Sequence, residues 1–132
     1  MSMIAQIRFV IKSDSVLEEC LRLLDLDFVV KARDEMGQIR EAEIPYPTDF
    51  EFPPDTGVLY SVTRSSDGTL ALDHGRKEDV HKNDWPKLNA LRYSILQGCA
   101  SIETARALQE QGYTILRQEN VAGTVVIEAA IA

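Results

Sequence analysis

The sequence predicts an α+β fold in which two helices cover a single layer of mainly antiparallel sheet. Alternating apolar residues mark several short strands, turn residues mark three hairpins, and a long run of apolar residues at helical spacing separates the last hairpin from the rest. The predicted order is β-α-β-β-β-β-α-β-β. Because no repeat and no shift in composition marks a domain boundary in the 132 residues, we expect one domain over residues 1–132.

The first two predicted elements are a strand and a helix. Apolar and polar residues alternate over 5–12, which is typical of a half-buried strand. Ser15 and Glu18 have the spacing of a capping box, and apolar residues then recur at helical spacing. The first helix is therefore expected from about Val16 to Leu24.

Two hairpins are predicted next. Residues 28–33 and 38–44 are rich in strand formers and flank the first turn. The second turn contains Asp67-Gly68, where the glycine supplies the positive φ that a tight turn requires. Prolines interrupt the chain between these hairpins, so we expect an irregular connection over 45–56.

The longest predicted element is a helix from Trp85 to Gln111. Asp84 is placed to cap its start, and Gly112 has the position of a left-handed residue after its end. Gly98, in the middle, indicates either a bend or a close approach between the helix and the sheet. The sequence leaves both interpretations open.

The closing hairpin is predicted from 113–119 and 124–131. Val126 and Ala130 form a second apolar face of the last strand, so we expect both faces to be covered. A helix or a second copy of the chain could supply that cover, and the sequence thus allows a homodimer. We expect the two terminal strands to be neighbours at the centre of the sheet.

The negative charge of the chain is concentrated in one segment. The net charge is −7, and residues 34–56 carry seven acids against Arg40 alone, a net −6. A local excess of acids predicts a surface that suits a basic protein partner. Direct nucleic-acid binding is not expected, because contacts to phosphate need clustered Lys and Arg.

The cysteines and the N-terminal residues bear on location. Cys20 and Cys99 fall on apolar positions of the predicted helices, and their spacing is that of neither a disulfide framework nor a zinc site. No secretion signal or apolar run of membrane-spanning length is recognisable. We expect a cytoplasmic protein without membrane association.

No catalytic motif is recognisable, and we expect no catalytic residue, metal or cofactor, and a non-enzymatic protein. The best cluster of reactive side chains is Asp73, His74, Glu78, Asp79 and His81. Its spacing matches no known metal site, and four nearby cations would repel a metal ion. The alternative is a small enzyme or metal-dependent domain with a site around Asp73, His74 and His81.

The segment 46–52 is the strongest candidate for binding, since aromatic and acidic residues alternate there among prolines. Aromatic residues are enriched at protein interfaces, and acids would attract a basic partner. The competing interpretation is a structural loop whose aromatics fold back over the sheet edge. The predicted partner-binding residues are Glu41, Glu43, Tyr46, Asp49, Phe50, Glu51 and Phe52.

Three stretches carry a resemblance to a known family. They are Asp67-Gly68-Thr69-Leu70-Ala71-Leu72-Asp73, Trp85-Pro86 at the start of the long helix, and Gln111-Gly112-Tyr113 at its end. With the order of elements, they make the chain similar to a hypothetical-protein family of plastid genomes and cyanobacteria. The resemblance implies no known activity and no catalytic residues.

Overall fold

The computed structural model describes residues 8–74 and 80–131, with side chains from Val10 onward in the first range. Within these ranges the α+β class, the two helices and the predicted order of elements are confirmed. A short 3-10 helix, Lys82–Asp84, precedes the long helix. The elements are β1 Arg8–Ile11, α1 Asp14–Leu23, β2 Val29–Arg33, β3 Ile39–Pro45, β4 Val58–Arg64, β5 Leu70–His74, α2 Trp85–Glu110, β6 Tyr113–Val121 and β7 Thr124–Ile131.

Five strands form one antiparallel sheet in the order β1-β5-β4-β3-β2. Its packed face carries buried residues in register across the central strands, such as Ala42, Val62 and Leu72. Apolar residues of α1 and α2 complete this core. The alternate residues of the strands, among them the polar Glu43, Ser61 and Asp73, lie on the other face, because successive side chains of a strand point to opposite sides. We call it the open face.

The last hairpin does not join the five-stranded sheet. β6 and β7 pair with each other in a separate two-stranded sheet, which packs against α2. The expectation that the terminal strands are central neighbours is therefore wrong, since β1 is an edge strand bound to β5. A single layer is also not formed. The two-residue turn at Ala122-Gly123 makes this hairpin pair locally, and the contacts of the hairpin with the rest of the chain are made mainly to α2.

The start of α1 also differs from the prediction. The helix begins at Asp14, and no side-chain capping bond forms there, so the predicted capping box of Ser15 and Glu18 is absent. Instead the Asp14 carboxylate accepts a hydrogen bond from the backbone N–H of Ile39 at 2.7 Å and pairs with the Arg64 guanidinium. Asp14 thus joins the start of α1 to β3 and β4 by long-range contacts.

Gly98 marks a close approach and not a break, because α2 continues through it from Trp85 to Glu110. A Cβ at this position would lie 2.6 Å from Sγ of Cys20 in α1 and 3.0 Å from Cγ2 of Val125 in β7. Both distances are below ordinary van der Waals contact. The missing side chain therefore lets α1 and the closing hairpin pack on the same turn of α2.

Both cysteines are buried and free. A hydrogen bond with the Cys20 thiol and burial together raise the pKa of the Cys99 thiol well above its ordinary value. A thiol in this state is a poor nucleophile, because the thiolate is the reactive form. Cys99 therefore serves packing in the region where α1 meets α2.

The second face of β7 is not closed over by the chain. On this face Val126 and Ala130 are half-buried and Glu128 is exposed, and on the opposite face Ala129 and Ile131 are also exposed. The expectation that both faces are covered within the chain is therefore not met, and dimerisation stays a prediction. Over the ranges 8–74 and 80–131, the structure has no helix that combines the length and the apolar character needed to cross a bilayer.

Candidate functional site

The connection between β3 and β4, residues 46–57, is irregular as predicted and is closed at its base. The backbone N–H of Tyr46 donates to the carbonyl of Gly57 at 2.9 Å. Gly57 has φ of +67°, a conformation that favours glycine. We call residues 46–57 the β3–β4 loop.

The structure separates the three aromatic residues of this loop. Phe50 is 6% exposed and belongs to the core, where its ring meets that of Tyr46 edge to face at 5.1 Å. Tyr46 is half-buried, with its hydroxyl oxygen 3.4 Å from Nε2 of His74. Phe52, in contrast, is 52% exposed. Two aromatics therefore fold back over the sheet, and one faces solvent.

The backbone beside Phe52 is held by a buried carboxylate. Asp84 is inaccessible to solvent, and its two oxygens accept hydrogen bonds from the N–H of Glu51 at 3.0 Å and of Phe52 at 2.9 Å. Asp84 has the N-cap position of α2, as predicted, but makes no side-chain capping bond. The Lys87 ammonium, one turn along, donates to the carbonyl of Asp49. The start of α2 therefore fixes the β3–β4 loop.

The ionisation of Asp84 is consistent with this role. Burial raises the pKa of its carboxyl, but the hydrogen bonds from the N–H groups of Glu51 and Phe52, together with the positive charge of Lys87, lower this pKa by a larger amount. The net effect is a pKa below the ordinary value of 3.8. Asp84 is thus a carboxylate at neutral pH, the form that accepts both N–H groups.

The Phe52 ring also has a fixed neighbour. It lies on the imidazole of His81, with ring centroids 4.4 Å apart and planes inclined by 36°. Nδ1 of His81 accepts a hydrogen bond from the N–H of Asn83 at 3.1 Å, which orients the imidazole. Phe52 is therefore displayed in one place although half of its surface is exposed.

Three exposed carboxylates belong to the same loop as Phe52. They are those of Asp49, Glu51 and Asp55. Asp49 and Glu51 flank the buried Phe50, so the acids of the loop face solvent while Phe50 between them faces the core. We call Phe52 with these three acids the Phe52 rim.

The two remaining predicted binding residues lie on β3 and not in the loop. Glu41 and Glu43 occupy the open face, and Glu43 aligns with Ser61 of β4, which aligns with Asp73 of β5. Glu43 also pairs with the Lys31 ammonium at 3.7 Å. The predicted residues are thus divided among the open face, the Phe52 rim and the packed aromatics Tyr46 and Phe50.

The alternative site around Asp73, His74 and His81 is not assembled as one cluster. Asp73 lies on the open face, whereas His74 is buried on the packed face with its ring 5.5 Å from that of Tyr60. His81 is exposed and contacts Phe52. Glu78 and Asp79 lie outside the described residues. Among the residues that the structure does describe, no three His, Cys, Asp or Glu side chains are grouped to hold a metal ion.

Comparison with known proteins adds no family to these observations. No protein-family model, curated protein or solved structure matches the chain. The resemblance to the plastid and cyanobacterial family stays a prediction.

Two residues of the site were not recognised from the sequence. Asp84 was interpreted as a helix cap, and His81 as part of a metal-like cluster, yet both hold the loop that carries Phe52. Their contacts join residues about 30 positions apart, so no local pattern indicates them. The sequence signal for the site is Asp84 itself, because the carboxylate of an aspartate at a helix start can accept hydrogen bonds from another part of the backbone as well as from the helix.

Proposed function

We propose that this chain is a small non-enzymatic binding or adaptor module, and that the Phe52 rim engages a basic surface on a protein partner. The observation that carries the proposal is the combination of exposure and rigidity at Phe52. Its side chain is 52% exposed, while its backbone is bound by the buried Asp84 carboxylate. An aromatic held in place loses little conformational entropy when a partner covers it, and such residues dominate binding energy at many interfaces.

Charge supports the choice of a basic partner. Residues 41–63 include five acids and neither Lys nor Arg. The carboxylates of Asp49, Glu51 and Asp55 are exposed, whereas Lys87 is occupied by a backbone carbonyl of the loop. Opposite charge on a partner would speed encounter, and burial of Phe52 would slow dissociation.

The other predicted binding residues have different roles. Glu41 and Glu43 would extend the contact along the open face of the sheet. Tyr46 and Phe50 are packed against the domain and support the loop from beneath, so they are not proposed as contacts. We also propose a cytoplasmic location, which two free cysteines support because cytosolic thiols are kept reduced.

Neutralising the acids of the Phe52 rim should slow association. We expect the triple variant Asp49→Asn, Glu51→Gln, Asp55→Asn to associate about tenfold more slowly at low salt, with a weaker dependence on salt. The dissociation rate should change little, since Phe52 is retained. The measurement is association kinetics with a partner purified by affinity capture from the native host, at low and high salt.

A matched control separates a local surface from a net-charge effect. Glu35→Gln, Glu103→Gln, Glu110→Gln removes the same charge from exposed positions outside the rim. This control should associate at close to the wild-type rate. Equal slowing of both triple variants would argue against the Phe52 rim as the binding surface.

A further inference from the structure

The backbone groups on the outer edge of β7, the edge that faces away from β6, can be assigned to particular residues. The side-chain amide of Gln97 bonds both backbone groups of Val125, accepting from its N–H at 2.8 Å and donating to its carbonyl at 2.8 Å. Val125 therefore turns both groups away from β6. Because this direction repeats at every second residue of a strand, Ile127, Ala129 and Ile131 present their N–H and carbonyl groups on the same edge.

The turn of the hairpin gives the same assignment independently. Ala122 and Gly123 form a two-residue turn with φ of +50° and +87°. In such a hairpin the flanking pair, Val121 and Thr124, exchanges hydrogen bonds, and the next pair does not. Among the described residues, 8–74 and 80–131, β7 pairs only with β6, so no described strand occupies its outer edge from Ile127 to Ile131.

An apolar groove runs beside this edge and gives an added strand room. It has a volume of about 470 Å³ and lies between β7 and the face of α2 that carries Ala100 and Thr104. The side chains that α2 contributes here include the small Ala100, Ser101 and Ala105, which leave space in the groove. Ile131, whose side chain is 80% exposed, lies at the end of the same edge.

We propose that two copies of this chain pair through the outer edges of β7, antiparallel about a twofold axis at Ala129. Ala129 then faces Ala129 of the partner subunit, and Ile127 faces Ile131 of the partner subunit. Paired residues share one face of a sheet, so each exposed Ile131 enters the groove beside Ile127 of the other copy. The two hairpins become one four-stranded sheet, which is more stable than an isolated pair of strands.

The position of Glu128, and the point at which the free backbone groups of the outer edge end, both agree with this register. Glu128 is the one charged residue of β7, and the twofold places it opposite Ala130 and not opposite its own copy. It keeps its ion pair with Arg117 at 3.0 Å. Gln97 already occupies the groups of Val125, so the ladder ends at Ile127. The strand is thus complementary to itself, which favours a second copy over an unrelated peptide.

The register can be tested by cross-linking. Residues facing each other in a hydrogen-bonded antiparallel pair have Cα atoms about 5.5 Å apart, which is within reach of a disulfide. We expect Ala129→Cys to form a covalent dimer when the full chain is treated with glutathione disulfide. Leu116→Cys, on β6 of the same hairpin, should not. Equal cross-linking of the two variants, or none of Ala129→Cys, would overturn the register.

The oligomeric state tests the interface itself. By sedimentation velocity over a range of concentrations, we expect a dimer for the wild type and at least about tenfold weaker association for Ile131→Lys, which places a charge in the apolar groove. Leu116→Lys, an equivalent change at another exposed apolar position, should associate normally. A wild-type chain that stays monomeric, or an Ile131→Lys variant that dimerises as well as Leu116→Lys, would overturn the proposal. A monomer that takes up an added peptide strand at β7 would assign the edge to another protein.

Discussion

Gly98→Ala should lower the free energy of unfolding by about 1–2 kcal/mol, although replacing glycine by alanine inside a helix usually stabilises it by about 0.5–1 kcal/mol. The reason is that the packing around Gly98 leaves no room for a methyl group. The new Cβ would lie 2.6 Å from Sγ of Cys20 and 3.0 Å from Cγ2 of Val125, and both side chains are buried. Either α1 or the closing hairpin must move away from α2. Chemical denaturation of the wild type and the variant measures the loss.

Two further variants make this result interpretable. Ala90→Gly, at an exposed position of α2, gives the ordinary difference between alanine and glycine in this helix. Cys20→Ala combined with Gly98→Ala removes the closest atom, so the two effects should be less than additive. A Gly98→Ala protein as stable as the wild type, or more stable, would contradict the close approach of α1 and β7 on α2.

Asp84→Asn should lower the melting temperature by about 5 °C and release the β3–β4 loop. Asparagine has nearly the same shape, but it offers one acceptor oxygen where the carboxylate offers two, so the N–H of Glu51 or Phe52 loses its partner. Hydrogen exchange at these two amides should become faster. Asp27→Asn, at an exposed aspartate, is the control and should leave both amides protected.

The pH dependence of the same variant has a defined sign. The pKa of Asp84 is lowered from 3.8 in the folded chain, so its contribution to stability is present above pH 3.8 and is lost as the pH falls through the folded value. The difference in stability between the wild type and Asp84→Asn should therefore be full at neutral pH and shrink below pH 3.8. A difference that does not change in acid would mean that the carboxylate charge is not what holds the loop.

The elements that the sequence predicted well are those that local chemistry specifies. The Asp67-Gly68 turn and the helical spacing that ends before Gly112 need no distant partner, and the structure has both where expected. Strand order is different, because it depends on contacts between remote residues. Nothing in the alternation of β1 or β7 indicates that β1 pairs with β5, or that the closing hairpin forms a sheet of its own.

The candidate site was only partly predictable for the same reason. The acids and aromatics of the β3–β4 loop stand out in the sequence, but prolines remove the periodicity that would separate inward from outward side chains. Phe50 and Phe52 are two positions apart, and one is buried while the other is exposed. The difference in their exposure depends on Asp84, which follows the β4–β5 hairpin in the sequence and accepts a hydrogen bond from the backbone N–H of Phe52.

The most direct test of the proposed function is quantitative affinity capture from the native host with the wild type, Phe52→Ala and Tyr93→Ala. Tyr93, an exposed aromatic on α2, is the matched control. If Phe52 is the buried anchor of a complex, its removal should cost about 2 kcal/mol of binding, or about thirtyfold in affinity. We expect basic proteins to be retained by the wild type and Tyr93→Ala and largely lost from Phe52→Ala, with all three chains equally stable. Recovery of the same proteins in equal amounts by all three would contradict a binding role for the Phe52 rim.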